Sequence, residues 1–335
     1  MIALYDCSVG STNLGDSIIM ESVQQVVDGM FPSEFQVRLS SHDYASRTSL
    51  SVLKRSLYTF VGGSNLLSSR SCGYHQWAMS PADVAIIHDA VLLGVGWWQY
   101  QKPPDRIMAW LLHRVLSRTK LHSVRDEYAR RQLAAIGIKN VVVTACPTTW
   151  KLTPEHCAAI PQAKAESVVV TLTDYRQDPV ADKRCLALLR TNYAKVLFWP
   201  QGSRDTEYFQ KLAVPDIQVL NCRLRDFDDV LVPNRVDYVG TRLHGGIRAL
   251  QRGVRTIIIE VDNRAHELGK TIALPTVRRG DYECLESKIQ SQWQTSILLP
   301  VEGIRMWRGQ FGTTGAESED ENYQAVPDDV LDVRT

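Results

Sequence analysis

The 335-residue chain has no Cys-x-x-Cys pair, no long apolar run and a formal net charge of only +1. Each absence removes a class of protein. With 38 Lys and Arg against 37 Asp and Glu, there is no whole-chain basic footprint for nucleic acid. The seven cysteines are odd in number and scattered, which favours reduced, mostly buried thiols in a reducing compartment. No apolar stretch approaches the ~20 residues that span a bilayer. The opening Met-Ile-Ala-Leu-Tyr-Asp has no basic region leading into an apolar one, so it reads as a first strand and not as a signal peptide. The expected location is the cytoplasm, or the cytoplasmic face of a membrane as a peripheral protein. No His/Asp/Cys group has metal-ligand spacing, so no metal is expected.

What remains is ordinary globular composition, 44% hydrophobic and 22% charged, in a chain longer than one typical core, so two domains are expected. Strand-like runs occur at 2–5, 35–39, 58–61, 83–88, 91–95, 121–124 and 141–144, with helical patterns at 16–30, 106–117 and 127–136. Proline, alanine and polar residues interrupt this rhythm at 153–167. It resumes with strands at 168–172, 196–198, 217–220, 236–239 and 256–261 and helices at 183–191, 205–212, after His244, and at 265–271. Strands alternating with helices predict parallel sheets. The expectation is an α/β protein with a first domain over 1–155, a second over 165–311 and an acidic disordered tail over 312–335.

The most informative segment is Arg242-Leu243-His244-Gly245-Gly246, between a strand and a helix. A helix start favours an anion, Gly245 and Gly246 would let a ligand approach the backbone, and Arg242 offers a fork of donors. The alternative is a structural ion pair for Arg242 and a packing role for His244. The first strand runs into Gly10-Ser-Thr-Asn13-Leu-Gly15-Asp16, which has P-loop glycine spacing but Asp16 where that motif needs Lys, so a nucleoside triphosphatase is not expected. Asn13 and Asp16 are read as cleft residues, with Asp16 as a helix N-cap the competing reading. Gly63, Ser64 and Asn65 follow a strand and line the same cleft or form a plain turn. In Gly94-Val-Gly-Trp97-Trp98 one Trp offers a sugar platform, but both cannot face one surface. Arg125 ends a strand, with Asp126 placed to cap the next helix. Ile107, Trp110, Leu111, Val115 and Leu116 sit at helical spacing among basic residues; the stripe reads chiefly as a core face, with contact to an anionic membrane as the alternative.

Four of these pieces, Asn13-Leu-Gly-Asp16, Gly62-Gly-Ser-Asn-Leu66, Ser123-Val-Arg-Asp126 and Arg242-Leu-His-Gly245, together resemble the polysaccharide pyruvyl transferase family over roughly residues 1–275. The resemblance implies two Rossmann-like domains facing a cleft, as in B-type glycosyltransferases. It implies transfer of pyruvate from phosphoenolpyruvate, a co-substrate and not a bound cofactor, onto two hydroxyls of a sugar or lipid-linked saccharide. His244 and Arg125 would be catalytic; Arg242, Leu243, Gly245 and Gly246 would bind phosphoenolpyruvate; Asn13, Asp16, Gly63, Ser64 and Asn65 would line the acceptor side. The chain departs from the family with Gly62-Gly-Ser64 where three glycines are common and with Cys146-Pro147 where Asp-Pro is common, and Arg264 matches a family loop only loosely. The alternatives are a nucleotide-sugar-dependent glycosyltransferase of the same fold and a non-catalytic glycan-binding relative. Oligomeric state is not indicated.

Overall fold

The structure, a computed structural model, describes residues 1–312 apart from Tyr74. The acidic tail expected from 312 onward therefore lies, except for Gly312, outside the described residues.

The first half carries β1 (Ile2–Asp6), β2 (Gln36–Ser40), β3 (Tyr58–Gly62), β4 (Ala90–Leu93), β5 (His122–Val124) and β6 (Val141–Val143). β1 to β4 form one parallel sheet in the order β2-β1-β3-β4. A bridge between Val95 and Val124 continues the layer into the parallel pair β5-β6. The second half carries β7 (Ser167–Thr171), β8 (Lys195–Phe198), β9 (Gln218–Val219), β10 (Val236–Gly240), β11 (Thr256–Glu260) and β12 (Thr276–Arg278). They form a parallel sheet in the order β12-β11-β10-β7-β8-β9, the doubly wound arrangement whose order reverses between β7 and β10. Central strands such as Ile2–Asp6 and Val236–Gly240 are buried at every position, as parallel strands covered on both faces must be. The fold is thus two Rossmann-like halves, as expected.

Most predicted elements match within a few residues, and 83–88 is the exception. Pro81–Ile86 is a helix, because Ser80 caps the backbone N–H of Asp83 while the Asp83 carboxylate accepts from the N–H of Ser80. That reciprocal box outweighs the apolar run behind it. The domain division is also less simple than a cut at 155–165. The last helix among the described residues, Val301–Gly309, crosses back to the first sheet, where a Cβ on Gly303 would stand 2.4 Å from the Val143 carbonyl oxygen. Trp307 and Phe311 there pack edge-on against Phe60.

The halves meet through helix Leu14–Met30 of the first and helix Leu243–Gln251 of the second. Gln251 donates to the Thr148 carbonyl at 2.6 Å, His156 bonds the Leu250 carbonyl at 2.7 Å, and Arg248 pairs with Glu21 at 3.0 Å. Ile247 and Leu250 join the core of the first half.

Candidate active site

The C-terminal edges of both sheets open on the same interdomain space, the edge where open α/β sheets place ligands. Loops after β1, β3, β4, β5 and β6 approach from one side, and loops after β7, β8, β10 and β11 from the other.

β5 is only three residues long and ends because Asp126 begins a helix. Its Oδ1 accepts from the backbone N–H of Ala129 at 2.9 Å and its Oδ2 from Arg125 Nε at 3.1 Å. Arg125 is thereby held by one edge of its guanidinium while 1% exposed, and its Nη1 and Nη2 have no hydrogen-bond partner among the described residues. Its planar group lies against Gly96, where a Cβ would stand 2.3 Å from the Arg125 Cζ. A buried guanidinium with two open donors is costly unless an anion completes it.

His244 lies in the first turn of helix Leu243–Gln251, 5% exposed, with Nε2 3.7 Å from the Cys146 sulfur. Burial, followed by the charges of Arg264 and Arg125, lowers its pKa to about 3, against a smaller opposite pull from Asp262. The resting imidazole is therefore neutral, and without a bound anion only the base form is available.

Across from Arg125, Asp262 caps helix Asn263–Ile272 and holds Arg264 Nε at 3.0 Å. Arg264 also donates to the Tyr175 hydroxyl, and its Cζ stands 5.3 Å from that ring's centroid. Asp16 faces this cation from the first domain, accepting from Ser11 Oγ at 2.6 Å and Ser64 Oγ at 3.3 Å. Burial raises the Asp16 pKa, with Ser11, His42, Arg264 and Ser64 pulling the other way.

The structure gives Arg242 a different environment from the open fork expected. Its Nε lies 3.0 Å from Asp205 Oδ2 and its Nη2 2.9 Å from Asp174 Oδ1, with a further bond to Asp205 Oδ1. Two carboxylates already neutralise this cation, as in the ion-pair reading. The glycine pair has a packing reason. A Cβ on Gly246 would lie 2.5 Å from Ile258 Cγ1, and one on Gly245 2.9 Å from the Tyr238 hydroxyl and from Gln201 Oε1. Leu243 is buried at the same helix start.

Asn13, not Asp16, caps helix Leu14–Met30: its Oδ1 accepts from the N–H of Gly15 at 3.1 Å and from Gln201 Nε2 at 2.8 Å across the domain boundary. Gly63 has φ +58 and would meet Ile19 Cγ2 at 2.1 Å if it carried a Cβ, so the turn there requires glycine. Ser64 points to Asp16, and Asn65 Oδ1 is buried without a partner among the described residues. Trp97 is fully buried, donating to Ser69 Oγ and Gln101 Oε1 at 3.1 Å each, so it is structural.

Sequence reasoning missed Gly96, Cys146, Tyr175, Gln201 and Asp205 as parts of this arrangement. Gly96 had a visible signal in its place one residue before the Trp pair. The others arrive from separate loops, and no spacing in the chain announces that they meet. Among the described residues no group of three or more His, Cys, Asp or Glu side chains could hold a metal ion. No helix among them is long and apolar enough to cross a membrane.

A family model described as polysaccharide pyruvyl transferase matches residues 13–263, which takes in all four motifs. No curated protein matches the chain. Among solved structures, UDP-GlcNAc 2-epimerase of Methanocaldococcus jannaschii in complex with UDP-GlcNAc and UDP is 11% identical, covering 92% of this chain and 97% of that one, with a TM-score of 0.50. Another structure of that enzyme is 10% identical with the same coverage and TM-score. At such identity the likeness shows the fold alone.

Proposed function

The chain belongs to the polysaccharide pyruvyl transferase family, an enzyme family that transfers pyruvyl groups to a glycan, and we propose that it does so between Arg125 of the first domain and His244 and Arg264 of the second. The carrying observation is the pair of unpartnered, buried Arg125 nitrogens beside a neutral imidazole.

Phosphoenolpyruvate brings a carboxylate and a phosphate, both suited to guanidinium forks. Arg125 takes one group and Arg264 faces the other. Arg242 supports the helix start through Asp205 and Asp174. The methylene carbon of the donor gains a proton, a sugar hydroxyl adds to the neighbouring carbon, phosphate leaves, and the second hydroxyl closes the ketal. Two hydroxyl protons are released; one balances the proton gained by carbon and the other leaves with phosphate. His244, neutral before the donor binds, accepts a proton from an attacking hydroxyl. The donor's negative charge offsets Arg125 and Arg264, so the imidazolium that forms is stabilised while the donor or departing phosphate is present. Asp16, Ser64 and Asn65 face the acceptor side. The acceptor is a sugar or a lipid-linked saccharide, and one carried on a lipid would be met at the cytoplasmic membrane face.

Titration of phosphoenolpyruvate into the wild type and Arg125→Gln tests the donor site. Loss of two charge-assisted bonds is expected to weaken binding by about 100-fold or more; unchanged binding removes Arg125 from it.

A further inference from the structure

Helix Arg106–Val115 carries two apolar faces where one suffices for a core. Met108, Leu112 and Val115 are buried, as the inward face requires. Ile107 and Trp110 are each 60% exposed, with Leu111 half-buried beside them. The expected single stripe, which combined Ile107, Trp110, Leu111, Val115 and Leu116, is thus divided between core and surface. Trp110 lies four residues from both Arg106, which is exposed, and Arg114, whose guanidinium donates to the Ile87 and Ala85 carbonyls at 3.1 and 2.8 Å.

Along the helix and its flanking residues the charge is mostly positive. From Lys102 to Lys120 the chain has Lys102, Arg106, Arg114, Arg118 and Lys120, and Asp105 as the sole acid. Asp105 is already engaged, accepting from the N–H of Met108 at 2.8 Å and of Ser71 at 2.7 Å. Lys102, Arg106 and Arg118 are exposed. An indole and an isoleucine projecting among cations match a surface that is anionic outside and hydrocarbon just beneath.

The helix is also anchored to the active-site wall. The N–H of Asp105 donates to the Ser69 carbonyl at 2.9 Å, Ser69 Oγ accepts from the buried Trp97, and Trp97 follows Gly96, on which Arg125 lies. Nearby, Tyr100, 56% exposed, donates to Glu267 of the second domain. A surface held by the outer face of this helix would therefore border the cleft.

We infer that Ile107 and Trp110, with Lys102, Arg106 and Arg118 around them, dock this protein on an anionic phospholipid bilayer. The inference deepens the reading of a lipid-carried acceptor and rests on it. These side chains enter the headgroup layer, the cations meet lipid phosphates, and the cleft takes up the saccharide at the surface.

Sedimentation of the full chain with vesicles of phosphatidylglycerol and phosphatidylcholine, against pure phosphatidylcholine, tests this. Binding is expected to the anionic vesicles and to be lost in Ile107→Ser/Trp110→Ser. Arg106→Gln is expected to weaken it by about fivefold. Turnover of a water-soluble saccharide should be unchanged in these variants. Vesicle binding reads the surface and soluble turnover reads the chemistry, so failure of one is separable from failure of the other. Three outcomes overturn the proposal: no binding to anionic vesicles, binding that survives the double substitution, or a stable dimer in solution that the double substitution converts to monomer, which would make the face a contact between copies.

Discussion

The sulfur of Cys146 lies 3.7 Å from Nε2 of His244, and both groups are buried. Burial raises the thiol's pKa, so the imidazole has an uncharged neighbour. Buried, with no anion in contact among the described residues and with Arg264 and Arg125 within electrostatic reach, it stays neutral down to about pH 3.

The pH profile should show this. A base must be unprotonated, so His244 itself should impose no acid limb on kcat/KM for the donor between pH 5 and 7. Cys146→Asp places a carboxylate beside the ring and should move the His244 limb upward by about one pH unit or more; Cys146→Ser should not. A limb near pH 6.5 that Cys146→Ser leaves in place and that Cys146→Asp moves upward would show that His244 titrates as an ordinary histidine.

Gly96 should behave as an active-site residue although it carries no chemistry. A methyl group there overlaps the Arg125 guanidinium, and displacement of a binding group by about 1 Å can cost on the order of 100-fold in rate. Gly96→Ala should lower kcat/KM for phosphoenolpyruvate to that extent with little change in melting temperature. Steady-state kinetics with thermal unfolding on the same preparation check this.

Arg242 is expected to report on stability. Its removal leaves Asp205, fully buried, without its cation and Asp174 with only Arg204, at 3.6 Å. Breaking such a buried pair costs about 3–5 kcal/mol. Arg242→Met should therefore unfold at much lower urea, and Asp205→Asn added to it should restore part of the loss. A variant of wild-type stability that has lost only donor affinity would return Arg242 to the donor site.

Acid should destabilise the fold through His122. This ring is fully buried and held neutral, accepting from the N–H of Leu92 at 3.3 Å and bonding the Ser117 carbonyl at 2.9 Å. Burial lowers its pKa to about 4. The unfolded imidazole takes its proton near pH ~6.5 while the folded one does not, so the contribution is present above that pH and is lost between about 6.5 and 4. Urea unfolding at pH 5 should give about 2 kcal/mol less stability than at pH 7 from this group.

The alternation of strands and helices was legible because parallel strands buried on both faces read as continuous apolar runs, as in Val168-Val-Val170 and Ile257-Ile-Ile259. Asp83–His88 misled because a run that short suits either element, and the capping box at Ser80 carried the deciding information. Arg125 and His244 were legible because each ends or follows a strand at the functional edge. The state of their neighbours was not. Whether a guanidinium is open, as in Arg125, or closed by carboxylates, as in Arg242, depends on residues 37 and 68 positions away for the latter, and local spacing does not encode that. The return of Trp307 to the first domain is equally non-local.

The most direct measurement is phosphate release from phosphoenolpyruvate across a panel of galactosides, glucosides and N-acetylmannosaminides, with mass analysis of the products. The account predicts saccharide-dependent release, a product heavier by one pyruvate ketal, and loss of both in Arg125→Ala and His244→Ala folded as the wild type. Near-normal turnover in folded His244→Ala would contradict the assignment of the site, and pyruvylation that proceeds without phosphoenolpyruvate would contradict the assignment of the donor.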